Sequence, residues 1–152
     1  MTNILFVCLG NICRSPMAEF VMKDLLEKRG LSGEIAVASA ATSDEEIGNP
    51  VHPGTRRKLS EHGLRCDGKT ARQLTRQDYA EYDYLVGMDE SNMRTMRRML
   101  GGDPEQKCFK LLSFCHSTAD VADPWYTGDF DATWRDVLRG CEALLDHIIS
   151  NR

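Results

Sequence analysis

In ILFVCLGNICRSPMAEF, residues 4–20, Cys8 is followed by five residues and then by Arg14, Ser15 and Pro16. A thiolate is a nucleophile, and a guanidinium offers parallel N–H donors that match two oxygens of a phosphoryl group. Gly10 permits backbone dihedrals that other residues avoid, and Asn11 tolerates left-handed conformations. A loop built this way turns successive amide N–H groups inward as an anion nest. Pro16 suits the first turn of a helix, where its missing N–H costs little. The free N–H groups and dipole of that helix favour an anion at its N-terminus, phosphate and thiolate alike. Ser15 can donate its hydroxyl to the sulfur and make it a better leaving group. Leu9, Gly10, Asn11, Ile12, Cys13, Arg14 and Ser15 are thus the expected phosphate-binding loop. No histidine base is needed to activate Cys8 there.

Cleavage of a phosphate ester also needs a proton for the departing oxygen. The candidate is Asp123 in ADPWYTGDF, residues 122–130. Pro124 stiffens that segment, and Trp125 and Tyr126 supply flat surfaces able to flank an aromatic group and exclude water. An isolated Asp-Pro pair reads as an ordinary turn. Its location in the chain is what raises Asp123 above that reading.

The location follows from the elements. Asn3–Leu9 is a continuous apolar run, as expected of a strand buried on both faces. Apolar residues from Pro16 onward, at Ala18, Val21, Met22 and Leu25, have helical spacing, with Gly30 as a stop. Glu34–Ala40, Tyr84–Met88 and Cys108–Phe114 read as three further strands. Pro53–His62 reads as a helix ended by Gly63, and Asp89–Leu100 as a helix with Met93, Met96 and Leu100 on its core face. Trp134, Val137, Leu138, Cys141, Leu144, Leu145 and Ile148 form the apolar face of a long C-terminal helix. Strands alternating with helices predict an α/β fold: a four-stranded parallel twisted sheet with helices on both faces. Ligands of such sheets sit beyond the carboxyl ends of the strands, which selects segments 8–15, 40–50, 88–92 and 115–127.

The 152 residues suit one compact domain spanning 1–152; they carry 41% hydrophobic and 28% charged residues and a net charge of −4. That charge argues against nucleic acid as a partner. Ile4–Leu9 is too short to span a membrane and lacks the features of an export signal, so a cytoplasmic location and no membrane partner are expected. The cysteines at 8, 13, 66, 108, 115 and 141 show no C-x-x-C or zinc spacing, and the four histidines are scattered. They read as reduced thiols and no metal set.

VCLGNICRSPMAE and DPWY, with SAATSD (39–44), ARQLT (71–75) and MDESN (88–92) in order, resemble the low-molecular-weight protein tyrosine phosphatases. The resemblance covers nearly the whole chain. It implies phosphotyrosine hydrolysis through a cysteinyl-phosphate, without metal or other cofactor. Carried over, Cys8 is the nucleophile and Arg14 the phosphate clamp. Asp123 protonates the leaving phenolate and then deprotonates the water that hydrolyses phospho-Cys8. Asn11 and Ser39 hold the loop in shape, Ser15 tunes the sulfur, and Asp89 supports the loop from behind. Cys13 is a candidate redox partner of Cys8, through a reversible disulfide that protects the nucleophile. Glu45, Trp125 and Tyr126 are expected at the substrate rim. Phosphotyrosine proteins are the implied partners, with a cognate tyrosine kinase system beside them and a monomer or weakly self-associating oligomer as the assembly.

The chain departs from many relatives at Glu45 and Glu46, where a large wall residue is common, and at Lys69, where some have histidine. These departures change the charge expected around the mouth. Three other readings compete. A protein-arginine phosphatase on the same scaffold has threonine where Ile12 stands, and a branched apolar residue suits a phenyl phosphate better. An arsenate reductase needs a cysteine relay; Cys108 and Cys115 are spaced for one but lie at the fourth strand rather than after the third. A non-catalytic phosphate-binding module would have no need of Cys8 and Asp123 together. Arg94, Arg97 and Arg98 read as a solvated helix face.

Overall fold

The computed structural model describes residues 1–152. Four parallel strands form one sheet in the order β2-β1-β3-β4: β1 is Thr2–Cys8, β2 Ile35–Ala41, β3 Tyr84–Gly87 and β4 Cys108–Lys110. The helices are α1 (Arg14–Lys28), α2 (Pro53–Glu61), α3 (Gln77–Glu81), α4 (Glu90–Leu100), α5 (Pro124–Thr127) and α6 (Phe130–Ser150). The expected α/β sheet is therefore present, with β1 at its centre.

The apolar run of β1 is explained by burial from both sides. Ile4, Phe6 and Cys8 face the larger core with α1 and α6, while Leu5 and Val7 face the core with α4. Alternation along the strand sends successive side chains to opposite faces, and here both are covered. Ala18, Val21 and Met22 of α1 are buried as their spacing predicts; Leu26 is buried, with Leu25 at the margin. Met93, Met96 and Leu100 of α4 fill the second core, each such burial contributing about 1.5–3 kcal/mol. Val137, Cys141, Leu144, Leu145 and Ile148 of α6 are buried in the first, with Trp134 and Leu138 packed at its edge. Gly140 lets α6 close on the turn after β4: a Cβ there would lie 2.5 Å from Leu111.

Several boundaries differ from the sequence reading. α1 begins at Arg14, two residues before Pro16, which still falls in the first turn, where N–H groups have no intrahelical acceptor. The fourth strand stops at Lys110 and continues as a 3₁₀ turn, Leu111–Cys115. The apolar residues Leu111, Leu112 and Phe114 fit either form, and packing on α6 selects the turn. The short helices α3 and α5 lack the length for a periodic signal. Asp89 stands just outside α4 as its N-cap, in a reciprocal capping box with Asn92. Arg94, Arg97 and Arg98 are exposed. No helix is long and apolar enough to cross a membrane.

Candidate active site

Cys8 ends β1, and residues 9–13 turn directly into α1. The carbonyls of Cys8 and Leu9 accept the N–H groups of Thr42 and Ser43, each at 2.9 Å, so the segment after β2 runs beside the loop. Three donors converge on the Cys8 sulfur: the N–H groups of Asn11 (3.3 Å) and Ser15 (3.4 Å), and Ser15 Oγ at 3.0 Å. Asn11 adopts φ 57°, the left-handed conformation that wraps the loop around the sulfur.

The direction of the Ser15 hydroxyl follows from what lies behind the loop. Glu19, a buried carboxylate between the ammonium groups of Lys23 and Lys69, can only accept hydrogen bonds. Ser39 must therefore give its hydroxyl proton to Glu19 Oε1, at 2.5 Å. Ser39 Oγ then accepts from Asn11 Nδ2 at 2.9 Å, and the same amide donates to Ser15 Oγ at 2.8 Å. Asn11 Oδ1 accepts the Arg72 N–H at 3.2 Å, which fixes the orientation of the amide. With its oxygen engaged by Asn11, Ser15 has its own proton left for Cys8.

Arg14 is 2% exposed and held from one side. Its Nη1 donates to Asp89 Oδ2 and to the Val121 carbonyl, both at 2.8 Å, and its Nη2 reaches Asp123 Oδ2 at 3.4 Å. Burial opposes the charge, but the Cys8 sulfur and the carboxylates of Asp89 and Asp123 outweigh it and hold the guanidinium pKa above its usual value. Asp123 caps α5, its Oδ1 accepting the Trp125 N–H at 3.0 Å. Cys13 lies in the same loop, and burial, then the Cys8 and Asp123 charges, push its thiol up to about 12.

One pocket gathers these groups. Cys8, Leu9, Gly10, Ile12, Cys13 and Arg14 form its floor and near wall, Ser43, Glu45 and Glu46 one rim, and Asp123, Trp125 and Tyr126 the other. Trp125 and Tyr126 are 58% and 77% exposed, apolar surface left open beside the floor. Cys8, Arg14 and Asp123 are thus brought together. Asn11, Ser15 and Ser39 stand behind the loop, and Asp89 touches Arg14 directly.

Lys69 is not at the mouth, as its position suggested. It sits behind the loop, donating to the Ser39 carbonyl at 3.1 Å and lying 3.3 Å from Glu19. Cys108 and Cys115 belong to different packing clusters, and neither lines the pocket. That arrangement gives Cys108 and Cys115 no relay to Cys8. Sequence reasoning missed Glu19, Arg72, His52 and Thr55. Glu19 carried one readable signal, a charge on the buried face of α1. The Arg72 N–H and the Val121 carbonyl are main-chain groups that no side-chain pattern reveals.

The model of the family described as low molecular weight phosphotyrosine protein phosphatase matches residues 3–152. The low molecular weight protein-tyrosine-phosphatase YfkJ of Bacillus subtilis is 44% identical over 150 residues, covering 97% of this chain and 96% of the relative. Its crystal structure superposes with a TM-score of 0.97, covering 100% of this chain and 97% of that one. The protein-tyrosine-phosphatase PtpA of Staphylococcus aureus is 38% identical, covering 99% of this chain and 96% of the relative. A structure described as a Drosophila arginine phosphatase shares 31% identity, with a TM-score of 0.88 and coverage of 97% and 98%.

Proposed function

This chain belongs to the low molecular weight phosphotyrosine protein phosphatases, and from that premise we propose how its own residues hydrolyse phosphotyrosine in proteins. The whole chain, residues 1–152, acts as one phosphatase domain. The phosphoryl group enters the loop over Cys8, facing main-chain N–H groups preorganised by the Asn11 turn. Arg14 has Nη1 occupied by Asp89 and Val121 and one Nη2 contact to Asp123, which leaves Nε and the remaining Nη2 N–H for two phosphoryl oxygens. The Cys8 sulfur attacks phosphorus and the bond to the tyrosine oxygen breaks. Asp123, protonated at that moment, gives its proton to the departing phenolate. The same carboxylate then takes a proton from water, which attacks phospho-Cys8 and releases inorganic phosphate. Ser15 stabilises the sulfur as leaving group in that second step.

The observation that carries this reading is the convergence on one pocket of a three-donor cysteine, a buried arginine and an aspartate hydrogen-bonded to that arginine. The aryl ring of the substrate lies between Ile12 and the exposed faces of Trp125 and Tyr126. Ile12 favours a phenyl phosphate over a phosphoguanidinium group, which would call for polar partners. A cognate tyrosine kinase supplies the substrates, and both act in the cytoplasm, where the free cysteines stay reduced.

The test is a substrate panel: p-nitrophenyl phosphate, and peptides carrying phosphotyrosine, phosphoarginine and phosphoserine, with Cys8→Ser as control. Phosphotyrosine and aryl phosphate turnover, abolished in C8S, is the expected result. Preference for phosphoarginine, or residual C8S activity above about a few per cent, would overturn the assignment.

A further inference from the structure

The N-terminus of α2 is wedged between the phosphate loop and the acid segment, and His52 is the residue at the junction. Its main-chain N–H donates to the Ile12 carbonyl at 2.8 Å, and Thr55, three residues on, donates its hydroxyl to the Cys13 carbonyl at 3.2 Å. The start of α2 is therefore fastened to two consecutive carbonyls of the loop. His52 Nδ1 accepts the Gly54 N–H at 3.0 Å, capping α2, so the ring is held rather than free to rotate. The ring then meets both sides of the acid segment. It stacks on Phe130, with centroids 5.4 Å apart and planes at 22°. It meets Trp125 edge-on at 5.6 Å and 76°. Gly54 permits this closeness, because a Cβ there would fall 2.3 Å from the Phe130 ring.

Trp125 is more than half exposed, so its packed contacts are few and each matters to its position. Its main-chain N–H is bonded to Asp123 Oδ1, which ties the Trp125 backbone to the Asp123 carboxylate across Pro124. A shift of the Trp125 main chain is a shift of the carboxylate, and the packed indole anchors that main chain. We propose that His52 is a positioning residue, whose ring holds Trp125, and through it Asp123, at a fixed height over the phosphate loop. It touches neither substrate nor reacting atoms. The proposal rests on Asp123 being the proton donor, and it assigns the reference against which that donor is aligned. Proton transfer is sensitive to such alignment, since the donor must reach hydrogen-bond distance of the leaving oxygen.

A leaving-group series separates this role from a structural one. An acid matters most when the departing oxygen is basic, as in phenyl phosphate, whose phenol resembles tyrosine with a pKa of about 10. It matters least for p-nitrophenyl phosphate. The ratio of kcat/KM between the two substrates is independent of how much enzyme is folded. His52→Asn retains a side-chain oxygen for the cap and removes the ring; it should lower the phenyl-to-nitrophenyl ratio by about fivefold, against about 10² for Asp123→Ala. His52→Phe keeps a ring without the cap and should hold the wild-type ratio at a lower Tm. Trp125→Ala removes the same contact from the other side, should reproduce the H52N loss, and serves in its place if H52N yields no soluble protein. An unchanged ratio in H52N or W125A, beside a changed one in D123A, overturns the role of His52 alone. So does a loss in H52F equal to that in H52N. An unchanged ratio in D123A overturns the acid assignment itself, and the positioning role with it.

Discussion

Asn11→Ala perturbs the residue on which the loop geometry most depends, and its cost can be worked from the structure. The substitution removes donation to Ser15 and Ser39 and acceptance from the Arg72 N–H. Three such buried hydrogen bonds contribute about 1 kcal/mol each. Alanine must also hold φ 57°, a left-handed conformation costing about 1 kcal/mol more. The expected loss is about 4 kcal/mol. With a urea m-value of about 2 kcal/mol/M, the unfolding midpoint falls by about 2 M. A domain with about 5–15 kcal/mol of stability remains mostly folded after such a loss, so kcat/KM can be measured as well. It should drop by about 10², because the N–H groups that line the loop lose their fixed positions. Asn11→Asp is the informative companion. It tolerates the turn and still accepts from Arg72, but its carboxylate draws the Ser15 proton away from sulfur. N11D should therefore lose activity as N11A does while losing less stability. A cost below about 1 kcal/mol in N11A, or wild-type activity in N11D, would refute the directed hydrogen-bond chain behind Cys8.

Three further outcomes are expected. Cys13 and Cys108 are each pushed up to about 12, chiefly by burial, and Cys141 is raised as well. Raised folded pKa values mean that the native state holds protons which the unfolded chain releases, so stability is intact below about pH 9 and falls toward pH 12 by up to about 1.4 kcal/mol per pH unit for each thiol. Thermal unfolding midpoints followed from about pH 8 to about pH 11 check this, and a flat profile would contradict it. Peroxide should oxidise Cys8 to the sulfenic acid, which Cys13 resolves to a disulfide with loss of water; wild type then recovers with thiol while Cys13→Ala does not. Equal recovery in both would remove the redox role. Glu45 and Glu46 line the rim without an ion-pair partner, so phosphotyrosine peptides with lysine neighbours should be hydrolysed about threefold to tenfold faster than those with glutamate neighbours at low salt. That preference should shrink in Glu45→Gln and vanish at high salt, and its persistence in both conditions would assign the discrimination elsewhere.

The legible parts of this molecule were those that one stretch of chain specifies by itself. Cys8, Arg14 and Ser15 lie within eight residues, and the strand and helix around them are marked by apolar runs and by proline. Asp123 was found because topology places the end of the fourth strand on the ligand side. The contacts that set the geometry were harder to read, because they join residues distant in sequence. Asn11 meets the Arg72 N–H across 61 positions, and Arg14 meets the Val121 carbonyl across 107. Lys69 shows how a correct residue can be misplaced. Its place in the sequence suggested the mouth, yet it pairs with buried Glu19 behind the loop, so that neither charge is left unpartnered out of water. The early end of β4 has a similar cause, since the apolar residues that follow it satisfied two local patterns and packing on α6 chose between them.

The central claim is that phosphate passes through Cys8. Asp123→Ala, mixed with p-nitrophenyl phosphate and rapidly quenched, tests it most directly. The good leaving group departs with little help from an acid, whereas hydrolysis of the intermediate lacks its base, so the phosphoenzyme accumulates. Peptide mass analysis should find the mass of one phosphoryl group on the peptide containing Cys8, and none when Cys8→Ser is added to the same variant. Phosphate on any other residue, or nitrophenol release with no covalent intermediate, would contradict the account.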